Sequence, residues 1–499
     1  MSLRNFHGIE LEDFACCVAR TALWIAEKQA DADTAKVTQR VYQELPLTDY
    51  EGIVNANALR IDWNDVVPAS EVSYVIGNPP FIGARNQSSE QKSEMLSIFG
   101  NARNAGNIDY CGAWYAKACE FTRETSARCA FVSTNSVCQG EQVANLWKPL
   151  FDDGVHIDFA HRSFVWNSAA SDEAHVHVII VGFSRGEGKR HLFEEGAARE
   201  VDNINAYLVN APDEFVWNRR TPLCDVPSMG IGNKPIDGGN YLFSDEEKEA
   251  FLAQEPDAER FFHPWIGSRE FLHGFRRWCL WLGDATFSDI KSLPLCRERI
   301  QTVREYRLAS SSTPTRQLAE RPTRFHVENM PTGSSIVIPK VSSQKRRYIP
   351  LGFIGPETLC SDLVFLVPNA TLYHFGMLHS IFHNAWMRTV CGRLKSDYRY
   401  SAGVVYNNFV WPEPSEEQRK YIESCAQTVL DARAGYPDAS LADMYNPDND
   451  FLFPELMKAH AELDAAVEAA YGVDFNGNEE KIVAHLFKLY AEKTGEEGQ

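Results

Sequence analysis

One short stretch of the chain combines residue types that suit chemistry on an amine. In Val75-Ile76-Gly77-Asn78-Pro79-Pro80-Phe81, the β-branched run 72–76 reads as a buried strand. The prolines stop it, because proline has no N–H to donate and fixes its own φ. The Asn78 side chain and the Pro79 carbonyl therefore stand at the C-terminal end of a strand, the edge where ligands bind in open α/β sheets. Two rigid acceptors beside the Phe81 ring can bind an exocyclic amine and turn its nitrogen lone pair toward an electrophile while the ring stacks. A plain strand ending in an Asn-Pro turn has the same residues, so the surrounding elements decide.

Those elements read as an alternating α/β pattern. Residues 6–10 form a short strand ending in Glu10, and Leu11, Phe14, Ala15, Val18, Ala22, Leu23, Ile25 and Ala26 then fall on about one face of a helix. An acid at such a strand end is placed to accept hydrogen bonds from ribose hydroxyls. A helix-start carboxylate near the macrodipole would occupy the same place. Residues 53–59 read as a further strand and its exit. Helical stretches follow at 90–99 and 109–124, then a strand at 129–134, its loop at 135–142, and a closing antiparallel pair at 155–164 and 174–183.

Composition narrows the class. The 499 residues hold enough apolar side chains, 44%, for two to four domains. No run of about 18 apolar residues and no charged-then-apolar leader occurs, so neither a membrane span nor a signal peptide is expected. The 12 cysteines form no CxxC pair and sit mostly in apolar contexts, as at Cys129, Cys279 and Cys391. They read as reduced core residues of a cytoplasmic protein, with no metal site. Net charge is −19, but residues 260–411 hold 20 Lys and Arg against 10 Asp and Glu, leaving the rest at −29. A basic middle flanked by acidic parts suits a localised phosphate-binding surface; a charge-mixed domain without a partner is the plainer reading.

Asn78 to Phe81 resembles motif IV of the S-adenosylmethionine-dependent amino-methyltransferases in its adenine-N6 form. "VIGNPPFIGA", "AFVSTNSVCQGEQVANLW", "FAHRSFVWN", "VHVIIVGFS", "RRWCLWL", "VSSQKRRYIP", "GRLKSDYRYS" and "VVYNNFVWP" extend the resemblance, over nearly the whole chain, to the DNA adenine methyltransferases of the MmeI type, the type IIL restriction–modification enzymes. The resemblance implies a Rossmann-like, doubly wound methyltransferase core at 1–206, a linker at 207–222, an α+β target-recognition domain at 223–412, and a helical C-terminal segment at 413–499. It implies S-adenosylmethionine as cofactor, with Glu10 and Leu11 at the ribose and Asn57, Ala58 or Asp62 at the adenine; loop capping accounts equally well for Asn57 and Asp62. It further implies Asn78, Pro79, Pro80 and Phe81 as catalytic residues. Phe164 would cover the second face of a flipped adenine, unless it is plain core.

The same resemblance implies double-stranded DNA as partner. In Ser342-Ser343-Gln344-Lys345-Arg346-Arg347-Tyr348, three consecutive cations beside hydroxyls make a phosphate clamp. If the stretch 392–400 is extended, Arg393, Lys395, Asp397 and Arg399 share one face, and Lys395 with Asp397 could read a G·C pair. A solvated edge strand with cross-strand ion pairs is the plainer alternative. Family members carry upstream a first strand and Gly-rich loop, placed between the strands ending at Glu10 and at Gly77, and an N-terminal nuclease domain. This chain begins at the second strand, so two strands with unpaired edges and no DNA cleavage are expected, and a separately encoded N-terminal piece is a possible partner. The leading expectation is adenine-N6 methylation of DNA. Its rivals are a chain that binds DNA without methylating alone, and an enzyme acting on RNA or protein glutamine.

Overall fold

A two-stranded parallel ladder opens the chain. Strand β1 (Gly8–Glu10) pairs with β2 (Ile53–Asn55), and helix α1 (Asp13–Thr38) lies between them in sequence. The computed structural model describes residues 3–39, 52–100, 104–166, 176–194 and 196–497. They form two units, one of Met1–Cys138 with Gln142–Phe215, the other of Gln139–Glu141 with Val216–Gln499.

The first unit is built on a six-stranded sheet. Its members are β3 (Tyr74–Gly77), β4 (Arg128–Thr134), β5 (His156–Trp166), β6 (Val176–Ser184), β7 (Arg190–Glu194) and β8 (Ala197–Val201), in the order β3-β4-β6-β5-β7-β8. β3 and β4 run parallel, and β6 is antiparallel to both β4 and β5. Helices α2 (Ser89–Phe99) and α3 (Gly112–Phe121) come between β3 and β4, and α4 (Glu141–Asp152) precedes β5. The core gathers Tyr115, Phe131, Trp147 and Phe183, all buried. Tyr115 meets Phe131 and Trp147 edge-on, with ring centroids 5.2 and 5.1 Å apart. Residues 174 and 175, expected in the second closing strand, lie outside the described residues.

One expectation needs correction. The strand at 72–76 is not buried: Tyr74 is 73% and Ile76 81% exposed, while the alternate positions Val75 and Gly77 turn partly inward. The reason is position, since β3 ends its sheet and pairs with β4 alone among the described residues. Period-2 alternation then leaves one side chain in two in solvent. Helix α1 and its apolar face are present as expected, and most of that face is exposed. Cys16 is its one buried residue, and Phe14, Val18 and Ile25 are exposed.

The second unit carries two four-stranded sheets and a three-stranded sheet. The latter joins Val341–Ser342, Asp397–Arg399 and Gly392–Leu394, all antiparallel. Helices Glu416–Ala434, Pro454–Ala470 and Glu479–Glu497 end the chain. The first starts at a capping box, in which the Ser415 hydroxyl accepts from the Gln418 N–H and the Gln418 side chain accepts from the Ser415 N–H. A buried arginine, Arg307, ties loops together by donating to the carbonyls of Pro235, Ile236, Leu318, Arg321, Pro322 and Arg324. All 12 cysteines are free thiols and ten are buried; burial pushes Cys111 up to about 12. Among the described residues no helix is long and apolar enough to cross a membrane.

Candidate functional site

The end of β3 is held from both sides. Gly77 approaches the buried Phe131 ring so closely that an added Cβ would meet it at 3.3 Å, and the ring would have to give way. Asn78 and Pro80 are exposed, Pro79 is buried and Phe81 half-buried. The two successive prolines bring no N–H donor; the Ile82 N–H closes the turn on the Pro80 carbonyl at 3.2 Å, and groups outside it hold its downstream arm. Those groups are Asp109 and Tyr110. The Tyr110 N–H donates to the Ile82 carbonyl at 2.9 Å, and the Asp109 Oδ1 accepts from the Ala84 N–H at 3.0 Å.

Asp109 is the hub of this edge, and it is buried. Its Oδ1 also accepts from Gln142 Nε2 at 3.0 Å, while the Asp109 N–H donates to Gln142 Oε1 at 2.8 Å. Its Oδ2 accepts from the hydroxyls of Ser136 and, at 3.3 Å, Thr134. The loop after β3 and the loop after β4 thus meet on one carboxylate. Sequence reading placed Asp109 only at a helix start and missed this role. The available signal was a single acid three residues before an apolar helix, which an ordinary cap would also supply.

The residues expected around the cofactor are only partly free. Glu10 Oε1 accepts from the N–H groups of Leu11 and Glu12, at 2.8 and 3.3 Å, at the start of α1. The helix-start reading therefore describes one oxygen. Asn57 is fully engaged: its Oδ1 accepts from the Leu59 N–H and its Nδ2 donates to Glu94 Oε1, both at 2.9 Å. Asp62 caps the following turn, with Oδ1 accepting from the Asn64 N–H at 2.9 Å, which holds its carboxyl below the usual range. The Ala58 carbonyl accepts from Trp63 Nε1 at 2.9 Å. Loop capping is what these three groups do in the folded chain. Glu94 also accepts from the Tyr110 hydroxyl, whose pKa rises through burial and through that carboxylate. A bonded path so runs from Asn57 through Glu94 and Tyr110 to the Ile82 carbonyl. Phe164 is half-buried on β5 opposite Val178, and the Ser163 hydroxyl before it accepts from Asn135 Nδ2 at 3.3 Å.

In the second unit, the three-stranded sheet brings together the two basic stretches. Ser342 pairs with Tyr398, and the Gln344 N–H donates to Asp397 Oδ1 at 3.3 Å. Lys345 and Arg347 are exposed; the Lys345 Nζ lies 3.8 Å from Asp448. Burial pulls the Arg346 guanidinium below its ordinary value, with Asp397 acting against that. One expectation fails. The stretch 392–400 is not a single extended ribbon but a hairpin that turns at Lys395 and Ser396, with Lys395 at φ 57°. The register places Leu394, Asp397 and Arg399 on one face and Arg393 with Tyr398 on the other. Arg393 stacks 4.0 Å from the Tyr398 ring centroid and donates to the Ser396 carbonyl at 2.9 Å. It braces the turn, while Lys395 stands exposed at the tip.

Comparison with known proteins matches the chain to three family models: the MmeI DNA-methyltransferase domain over residues 1–194, the MmeI target recognition domain over 210–413 and the MmeI C-terminal domain over 414–496. It is 42% identical over 500 residues to DNA methyltransferase A of Bacillus subtilis (strain 168), an alignment covering 99% of this chain and 56% of that protein. Its structure is similar to that of the type IIL restriction–modification enzyme MmeI solved in complex with DNA, with TM-score 0.88 and 42% identity over 98% of this chain and 66% of that one. The chain therefore spans about half the length of the curated relative.

Proposed function

This chain belongs to the MmeI family, with its methyltransferase, target recognition and C-terminal domains in order, and we propose from that premise that it is a site-specific DNA methyltransferase acting on adenine N6 in a cytoplasmic restriction–modification-type system. The observation that carries this reading is the pair of acceptors at the end of β3, Asn78 exposed and Pro79 buried, next to the half-buried Phe81 and pinned through Ile82 and Ala84. The Asn78 Oδ1 and the Pro79 carbonyl accept the two N6 hydrogens of a flipped adenine. Phe81 stacks on the base, and Phe164 covers its other face. Fixed acceptors turn the N6 lone pair outward and stabilise the charge that develops on N6 as it is alkylated.

S-adenosylmethionine, when bound, supplies an electrophilic methyl group on a positively charged sulfur. The donor set fits its nucleoside in part. Glu10 Oε2 makes no hydrogen bond among the described residues and is the group for the ribose hydroxyls, next to Leu11. For the adenine edge Asp62 offers Oδ2, its bonds to Asn64 being made by Oδ1, while the Asn57 amide and the Ala58 carbonyl are already engaged within the loop. In the second unit, Lys345, Arg346, Arg347 and Arg399 meet the phosphates of duplex DNA, and Lys395 with Asp397 reads base edges. Changing Asn78→Ala tests the assignment: methyl incorporation into DNA should vanish while DNA affinity stays near wild type. Retained incorporation removes it.

A second reading rests on the uncovered face of α1 and the one-sided pairing of β3. In it the chain binds DNA but methylates only with a separately encoded N-terminal piece. Calorimetry with S-adenosylmethionine separates the two. Micromolar binding by the 499-residue chain supports the first, and no binding alongside retained DNA affinity supports the second.

A further inference from the structure

We infer that Asp109 is the positioning residue of the reactive edge: its carboxylate locks the segment after Asn78-Pro79-Pro80-Phe81 against the loop that follows β4. The inference rests on the reading of Asn78 as a catalytic residue. The Pro-Pro turn is closed from within by the Ile82 N–H, which donates to the Pro80 carbonyl at 3.2 Å; Pro79 and Pro80 have no N–H to add. Its downstream arm is fixed by the bonds from Ile82 to Tyr110 and from Ala84 to Asp109. The Tyr110 bond is made by backbone and survives any side-chain change. The Asp109 bond is the one that a substitution can remove.

Asp109 has no ion-pair partner among the described residues. Its four donors are neutral: the Ala84 N–H, Gln142 Nε2 and the hydroxyls of Thr134 and Ser136. Geometry rather than charge is then what it contributes. An asparagine has the same shape. Its oxygen can accept from Ala84 and Gln142, and its Nδ2 can donate to the two hydroxyls, since a hydroxyl accepts as readily as it donates. An alanine leaves the Ala84 N–H and the Gln142 amide without an acceptor.

The test compares Asp109→Ala, Asp109→Asn and Tyr115→Phe with the wild-type full chain. Tyr115→Phe is the structural control, because it deletes a buried 2.8 Å bond to Ser133 on β4 without touching the loop. Amide hydrogen exchange over 82–86 is read first. Asp109→Ala should raise it by roughly tenfold or more, with Asp109→Asn and Tyr115→Phe near wild type. Incorporation of labelled methyl from S-adenosylmethionine into DNA lacking adenine methylation is read second. Asp109→Ala should lower the maximal rate by about 10²-fold with KM for DNA unchanged, and Asp109→Asn should restore it. Unchanged exchange in Asp109→Ala, or an Asp109→Asn variant as impaired as Asp109→Ala, overturns the inference. If exchange responds but neither Asp109→Ala nor Asn78→Ala alters incorporation, the positioning stands and the catalytic reading falls.

Discussion

Two buried charges hold loops together, one in each unit, and neither has an ion-pair partner among the described residues. Arg307 is fully buried and satisfied by six backbone carbonyls. Asp109 is satisfied by one backbone N–H and three side chains. A buried charge is tolerated only when its hydrogen-bonding capacity is filled, and both meet that demand with neutral groups. They differ in what the bonds lead to. Those of Arg307 join loops at 235–236 and 318–324, remote in sequence from every expected site residue. Those of Asp109 end on the arm of the turn that carries Asn78. Removing the first should cost stability, and removing the second should cost geometry.

The largest effect expected is at Arg307. Arg307→Met removes the guanidinium from six carbonyls, of which those of Leu318, Arg321 and Pro322 keep a donor in the Arg321 N–H, the Arg324 N–H and the Tyr241 hydroxyl; it should destabilise the second unit by about 3–5 kcal/mol, read as a fall in the urea midpoint, and an unchanged midpoint breaks the contrast. Next comes Asn78→Ala, with a loss of about 10²–10³-fold in methyl transfer and no change in that midpoint. Exchanging the charges at Lys395 and Asp397 should follow, shifting the preferred DNA sequence by about 1–3 kcal/mol of discrimination without changing thermal stability; an unaltered preference returns the hairpin to a structural role.

The smallest effect concerns pH. Among the described residues Asp464 accepts from two donors, the Tyr348 hydroxyl and the Ile381 N–H, and burial raises it from 3.8 to about 6. A carboxyl raised in the folded state favours folding fully below about pH 4 and loses that contribution as pH rises through about 6. The buried His379, His383 and His460 are depressed, chiefly by burial, so their contribution is lost as pH falls below 6.5. The difference in stability between wild type and Asp464→Asn isolates the carboxyl, and it should change sharply between pH 4 and 6. A flat difference would mean that two donors suffice for a buried carboxylate.

The end of β3 was legible because prolines act locally. Asn-Pro-Pro after a β-branched run marks a strand end whatever surrounds it. The family resemblance was legible from motifs spread over nearly the whole chain. Coverage was not legible. The helical period from Leu11 to Ala26 reports that one face is apolar and says nothing of whether another element lies on it. The hairpin was hidden because its turn is Lys-Ser, without the glycine or asparagine that ordinarily marks a positive φ. Asp109 was hidden because its partners come from residues 84, 134, 136 and 142, which only the fold assembles.

The one-sided pairing of β3 has a consequence for the molecule in solution. Among the described residues its outer edge pairs with no other strand, and the backbone there, flanked by Tyr74 and Ile76, is a template on which a second chain can add. What keeps copies apart is a net charge of −19, and that repulsion fades beyond about 8–10 Å at 0.1–0.15 M salt. Colloidal stability should therefore be greatest in dilute buffer well above the isoelectric point near 5.2, and should fall as salt is added and the edges can approach.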